Sequence, residues 1–298
     1  MVDSPPSRRK SPAALTSSRR SGRALTKGMS CDAALCAIAG GCVADFKRHG
    51  RGAARGDAEA LHRMRVALTR LRTAIRFFSP AVDGPSWKPL QHQAGWLNRQ
   101  SGAVRDIDVA LERHHRKGAT DWRAKRWREE RDMLCKELRR SLRSVRYRRF
   151  IQALSKRSSL ALRDSQPRDR EGFPLESFSA NRLDQWRRKL LRKGRKLDRM
   201  GWRERHRLRI WAKRVRYALE WSSPVLTKYR NVHLRQISRA KIIQNSLGRL
   251  NDVCTHQAQA EAQSIDPLPS VLRYGRKKMR RRLLRSASHA FDELARLQ

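Results

Sequence analysis

Two stretches of this chain set histidine and arginine at helical spacing. Residues 61–80 read LHRMRVALTRLRTAIRFFSP, and residues 205–224 read RHRLRIWAKRVRYALEWSSP. At ~100° per residue, His62, Arg65, Thr69, Arg72 and Arg76 fall in one narrow sector of the first helix. Leu61, Met64, Leu68, Leu71, Ile75 and Phe78 gather opposite them. In the second helix the same sector holds His206, Arg209, Lys213, Arg216 and Glu220. Arg63 and Arg70 flank the first row, and Arg214 matches Arg70 in the second. Each row offers about one donor per turn, ~5 Å apart along the axis. A guanidinium engages phosphate oxygens in pairs, and a histidine beside an anion favours its imidazolium. The pattern suits a ligand with repeating negative charge and no fixed shape. Nothing in it reads a base edge or cradles one small phosphate.

A charged row opposite an apolar stripe is ordinarily a solvated helix face. Two features weigh against that reading. The row occurs twice with the same His-x-x-Arg start, and a solvated row would mix in glutamate against self-repulsion, whereas only Glu220 does so.

The elements that must position these rows repeat with them. At a constant offset, His62, Arg63, Arg65, Arg70, Arg72, Ala74, Ser79 and Pro80 match His206, Arg207, Arg209, Arg214, Arg216, Ala218, Ser223 and Pro224. A second block follows each row, LNRQSGAVRDID (97–108) and IQNSLGRLNDVC (243–254), pairing Gly102 with Gly248 and Asp106 with Asp252. The chain is therefore expected to be all-α, with two similar lobes related by internal duplication, each a bundle of about four helices. The first lobe would span 29–156, a linker 157–176 and the second lobe 177–298, after a disordered basic tail over 1–28 that is rich in Ser, Pro and Arg. Pro80 and Pro224 should stop the motif helices. Leu68, Leu71 and Ile75, with Leu208, Val215 and Leu219, should face the cores. In residues 183–200, Leu183, Trp186, Leu190 and Leu197 form a stripe opposite a basic face that adds Arg192 and Lys196 as further anion contacts.

Other chemistries find little support. Asp106 and Asp108 suggest an ion pair or cap that orients a motif-helix arginine rather than a metal site, since Asp252 recurs alone. His114 and His115 lack a ligand set. The five cysteines, Cys31, Cys36, Cys42, Cys135 and Cys254, are odd in number and never spaced C-x-x-C, so neither a disulfide framework nor a structural zinc is expected. They read as small buried residues in a reducing cytoplasm. Most tryptophans at helical spacing read as packing. No phosphate-cradling Gly-rich loop or nucleophile elbow occurs. Ala33–Ala44 is small and apolar but opens beside Asp32, and reads as a packed helix rather than a signal-peptide core. No run approaches the ~18 apolar residues of a membrane span.

Charge bounds the partner. Lys and Arg number 70 against 27 Asp and Glu, a formal net charge of +43, and such an excess asks for a polyanion. Nucleic acid, anionic membrane and polyphosphate all qualify on composition alone. Here HRMRVALTRLRTAIRFF, HRLRIWAKRVRYALEW, SGAVRDIDV and LGRLND together resemble the CHAD family, the conserved histidine α-helical domain, over roughly residues 29–298. The resemblance implies two four-helix bundles related by a pseudo-twofold axis, with a basic surface between them and non-catalytic binding of inorganic polyphosphate. Some members of the family localise to polyphosphate granules, so a cytoplasmic protein associated with such granules is the expected location. It carries His62, Arg65, Arg70 and Arg72 over from the first repeat, and His206, Arg209, Lys213, Arg214 and Arg216 from the second. Thr69 departs from the motif, where a basic residue is usual, so the first row should be weaker. The E-x-E-x-K strand of tripolyphosphatase domains found in some members is absent. No cofactor is expected. The competing expectations are nonspecific nucleic-acid binding through the same cations, and phosphoryl transfer with His62 or His206 as phosphoacceptor. The latter fits poorly, because Arg63 and Arg65 crowd the histidine and no carboxylate cluster is in view to hold metal.

Overall fold

A computed structural model describes residues 24–82, 84–115, 122–163, 174–261 and 270–297. Every regular element among them is helical: α1 (Cys31–Ala54), α2 (Ala58–Phe78), α3 (Gly84–His115), α4 (Trp122–Arg143), α5 (Val145–Arg163), α6 (Leu175–Gly194), α7 (Trp202–Ser222), α8 (Arg230–Glu261) and α9 (Ser270–Arg296), with short 3-10 turns at Leu197–Arg199 and Thr227–Tyr229. The motif helices are α2 and α7, each of 21 residues, and each is followed by a 32-residue helix, α3 or α8.

Local chemistry fixes the ends of α2. Asp57 caps it, its carboxylate accepting from the backbone N–H groups of Glu59 at 2.9 Å and Ala60 at 3.0 Å. Those bonds, the Ala60 bond first, hold the Asp57 carboxyl below the usual carboxylate range. Just before it, Gly56 takes a φ of 88°, a left-handed turn that only glycine adopts without strain, and reverses the chain from α1. The start of α7 is tied by Glu204, whose carboxylate accepts from the Gly201 N–H at 3.0 Å. Both motif helices end just before their proline, at Phe78 and Ser222.

The core positions read from periodicity are buried: Leu61, Met64, Leu68, Leu71, Ile75 and Phe78 in α2, and Leu208, Val215 and Leu219 in α7. The helix α2 also buries Ala67, Ala74 and Phe77, because it packs on α1, α3 and α7. Only a narrow polar strip of α2 remains open. An aromatic seam closes its C-terminal end against the second half. Phe77 meets Phe178 at 5.9 Å and Trp186 at 5.2 Å, both in α6, and Trp186 meets Trp211 of α7 at 5.2 Å. The buried apolar residues of both halves form one continuous core.

Several boundaries differ from the sequence expectation. Leu25 is buried in that core and Lys27 pairs with Glu176 at 3.2 Å, so the last residues of the expected tail belong to the fold. Within the expected first lobe, α4 and α5 are parted at Ser144, whose hydroxyl accepts from the Tyr147 N–H and caps α5. Among the described residues the first half thus holds five helices, where a bundle of about four was expected. Helix α5 runs on to Arg163, with Ser158 buried, so the first residues of the expected linker 157–176 are helical. Ser-rich sequence had hidden this: the Ser158 hydroxyl turns back onto the Leu154 carbonyl at 2.6 Å and needs no water.

None of the four described cysteines is in a disulfide, and burial pushes the thiols of Cys31 up to about 11 and of Cys36 and Cys42 up to about 12. Cys254 and Asp252 lie outside the residues whose side chains are described. No described helix is long and apolar enough to cross a membrane.

Candidate polyanion site

Helices α2 and α7 pack side by side, and their polar strips meet. Lys213 of α7 feels the charge of Arg65 across the junction, His62 of α2 feels Lys213, and Arg214 of α7 feels Arg72 and Arg76 of α2. Two rows that the sequence places far apart therefore join in one basic cluster. His62 and Arg76 are exposed, while Arg65, Arg72, His206, Arg209, Lys213, Arg214 and Arg216 are half-buried.

The members are not equally free. The Arg65 guanidinium reaches across to α3, where Nη1 donates to the Asn98 carbonyl at 3.0 Å and to Ser101 Oγ at 3.2 Å. Arg216 donates to Gln244 Oε1 of α8 at 3.0 Å, pairs with Glu220 and stacks over Tyr217, 4.4 Å from the ring centre. Thr69 turns its hydroxyl to the Arg65 carbonyl at 2.9 Å and presents no donor outward. By contrast, the Nε atoms of Arg72 and Arg209 are buried with no hydrogen-bond partner among the described residues. Lys213 likewise makes no hydrogen bond or ion pair among them.

The repeated glycines explain how the arginines lie so low. A Cβ on Gly102 would stand 3.1 Å from Arg65 Nη1, and one on Gly248 would stand 3.0 Å from Arg209 Nε. Each glycine opens a shallow seat on α3 or α8 for the first arginine of the motif. The sequence showed this pair as a repeat without showing its purpose.

Charge accumulates in this half-buried seam at a cost. Burial, and then Arg209, Arg65 and Arg216, push the Lys213 ammonium down to about 8. Burial, Arg76 and Arg72 push Arg214 down to about 10. Burial also lowers His62 and His206, with the neighbouring cations Arg105 and Arg209 next in effect. Arg65 and Arg72 are lowered for the same first reason. In the unliganded protein both histidines are therefore biased towards neutrality.

Some expected members stand apart. Arg70 leans onto the Tyr217 and Trp221 rings at 5.9 and 6.0 Å, and Arg216 covers the same Tyr217 ring. Arg192 and Lys196 are exposed near the end of α6, and no described contact joins them to the cluster. Asp108 does not orient a motif arginine. It pairs with Arg131 of α4 at 2.6 Å, while Arg131 also donates to the Gly56 carbonyl at 2.7 Å. Asp106 is the exposed carboxylate whose charge reaches Arg65 and His206. Two cations were missed. Arg105 and Arg99 of α3 act on His62 and Arg72 respectively. Both lie in the repeated block 97–108, and neither has a basic counterpart in the second block, so the repeat gave no signal for them. No group of three His, Cys, Asp or Glu able to hold a metal occurs among the described residues.

A two-helix seam of histidine, arginine and lysine within an all-helical fold defines a class. The CHAD-domain family model matches residues 37–261, and the chain belongs to that family. The crystal structure of the CHAD domain from the plant Ricinus communis shares the fold, with a TM-score of 0.66 and 24% identity over 94% of this chain and 95% of that one. No curated protein matches the chain.

Proposed function

We propose that this protein binds inorganic polyphosphate on the seam between α2 and α7, without catalysis. The observation that carries the reading is the uncompensated charge there. Lys213 is pushed down by burial and by Arg209, Arg65 and Arg216, Arg214 by burial and by Arg76 and Arg72, and Arg72 and Arg209 keep buried Nε atoms without partners among the described residues. A chain of phosphates would supply both the missing negative charge and the missing acceptors. Membership of the CHAD family supports the same reading, as does the +43 charge of the chain. His62, Arg76, Arg72, Arg214, Lys213, Arg209 and His206 are the proposed contacts, with Arg65 and Arg216 contributing charge from fixed positions. A cytoplasmic protein held at polyphosphate granules is the matching location.

The test is competition. Long-chain polyphosphate and duplex DNA are compared at matched charge and salt. Polyphosphate should win by at least about tenfold and resist displacement by excess DNA. Affinity should fall linearly on a log–log salt plot, by analogy with counterion release from DNA, and orthophosphate should bind far more weakly. Equal affinity for DNA would reduce the seam to a generic cation surface.

A further inference from the structure

We propose that α1, α4 and α5 form a docking groove for an acidic amphipathic helix of a partner protein. The inference is independent of what the seam binds.

The groove follows from helix packing. Helices α1 and α5 run antiparallel, with Gly40 against Ser158, Phe46 against Phe150 at 6.1 Å, and Gly50 against the Tyr147 hydroxyl. Helix α4 meets the end of α1, where Arg139 Nε donates to the Ala54 carbonyl at 2.9 Å. Where the three converge lies an open groove of about 1200 Å³, larger than the ~300–1000 Å³ of most small-molecule sites. Along α1 it reaches from Phe46 to Arg55. That is about 14 Å at 1.5 Å per residue, room for about two and a half turns of another helix. None of its lining residues lies on α2, α3 or α7, so it is separate from the seam.

Exposure divides the lining into floor and rim. Leu142 is buried, and Ala54, Tyr147 and Ile151 are half-buried, so the floor is largely apolar. Seven further lining residues are Lys or Arg, every one of them exposed, and no lining residue is acidic. The cations come from all three helices: Arg51 and Arg55 from the end of α1, Arg139 and Arg143 from α4, and Arg148 from α5. Helix ends act in the same sense. The N-terminal turn of α5 opens into the groove with its positive partial charge, while Arg139 covers a carbonyl at the negative end of α1.

Floor and rim together select the occupant. Apolar side chains recurring at i, i+3, i+4 and i+7 on a helix would cover the floor, and flanking Asp and Glu would meet the rim. Polyphosphate has no apolar part and would leave the floor wet. A bilayer surface is flat and reaches only the rim. A second copy of this chain, at +43, is repelled.

The experiment titrates the full chain with a fluorescein-labelled peptide of about 14 residues, Leu at the spacing above and Glu elsewhere, and with a scramble that spreads the same leucines round the helix. The amphipathic peptide should bind at least about tenfold more tightly, since only it presents an apolar stripe. Arg51→Glu with Arg143→Glu reverses two rim charges and should weaken it about 30-fold, whereas Arg19→Glu with Arg20→Glu, the same change of net charge in the N-terminal stretch, should weaken it about threefold at most. Polyphosphate and phosphatidylserine vesicles should lose similar affinity for the two double variants. Equal binding of the two peptides, or equal peptide losses for the two double variants, overturns the inference. So does a groove variant that weakens polyphosphate or vesicle binding as much as it weakens the peptide, which would assign the groove to that polyanion. The comparison of the two peptides uses the unaltered protein and does not depend on how the variants fold.

Discussion

The two motif helices carry nearly the same row of residues yet spend them differently. In α2 the first arginine, Arg65, is anchored to α3, and the third-turn arginine, Arg72, keeps an unpartnered Nε. In α7 the order is reversed: Arg209 keeps an unpartnered Nε and Arg216 is tied to Gln244 and Glu220. The centre differs as well, for Thr69 hydrogen-bonds its own backbone where Lys213 holds a cation pushed down to about 8. Sequence equivalence therefore does not confer equal availability. Within each row, one arginine is held by a neighbouring helix while another keeps a buried Nε without a partner among the described residues.

The largest effect should come from the part the two helices share. Leu71 and Val215 are both buried in one continuous core. Leu71→Asp or Val215→Asp buries an unpaired charge and should cost about 4 kcal/mol or more. Because the core is continuous, either variant should abolish the whole cooperative unfolding transition seen by circular dichroism. Loss of only half the helical signal would separate the two halves.

Next in size is the test of free against engaged cations. Arg72→Ala with Lys213→Ala removes one free cation from each helix. With each bond to a charged partner worth ~1.5–3 kcal/mol, the pair should lose polyphosphate affinity on the order of 100-fold by titration calorimetry. Arg19→Ala with Arg20→Ala removes the same charge from the N-terminal stretch and should lose a few-fold at most. Arg65→Ala should instead show mainly as a lower melting temperature, since its guanidinium satisfies an α3 carbonyl. Equal affinity losses for the two pairs would leave net charge as the only cause.

A smaller, signed effect comes from pH. In the folded, unliganded protein Lys213 titrates near 8, below its ordinary 10.5. Across that window the unfolded chain binds more protons, so the contribution of Lys213 makes the free protein more stable as pH rises from 8 to 10.5. Polyphosphate affinity should move the other way and fall up to about tenfold as Lys213 loses its charge. Lys213→Arg should remove that fall. His62 and His206, lowered below 6.5, should strengthen binding only as pH drops beneath that value. A pH-independent affinity between 7 and 9.5 for the unaltered protein would rule out Lys213 as a contact.

The smallest change probes the glycine seats. Gly248→Ala places a methyl 3.0 Å from Arg209 Nε. The arginine must shift by a few tenths of an ångström, while the helix gains up to ~1 kcal/mol of propensity. Affinity should fall about two- to fivefold with the melting temperature unchanged or raised. Gly102→Ala, beside the anchored Arg65, should cost more stability and less affinity. The reverse order would exchange the roles assigned to the two arginines.

Much of this was legible in the residues themselves. Helical period alone separates Leu61, Met64, Leu68, Leu71, Ile75 and Phe78 from the His-Arg strip, because 3.6 residues per turn fixes which face a side chain leaves from. The prolines mark where α2 and α7 end, and the family follows from the motifs. Helix breaks were less legible. Ser144 divides the stretch from Trp122 to Arg163, yet serine also sits inside α5 at Ser158 by bonding its own turn, so composition could not tell cap from interior.

Period says which face an arginine leaves from, but not where its guanidinium ends. That end is carried on a long flexible stem, and whichever helix packs alongside decides its partner. The sequence by itself determined the all-helical fold, the buried stripe and the presence of two basic rows. Tertiary packing decided that the rows meet across α2 and α7, that Arg105 and Arg99 of α3 join them, and that Arg70 lies against the Tyr217 and Trp221 rings of α7. It also decided which cations are free, because a half-buried charge is set by its neighbours in space, and those neighbours are brought together only by the folded chain.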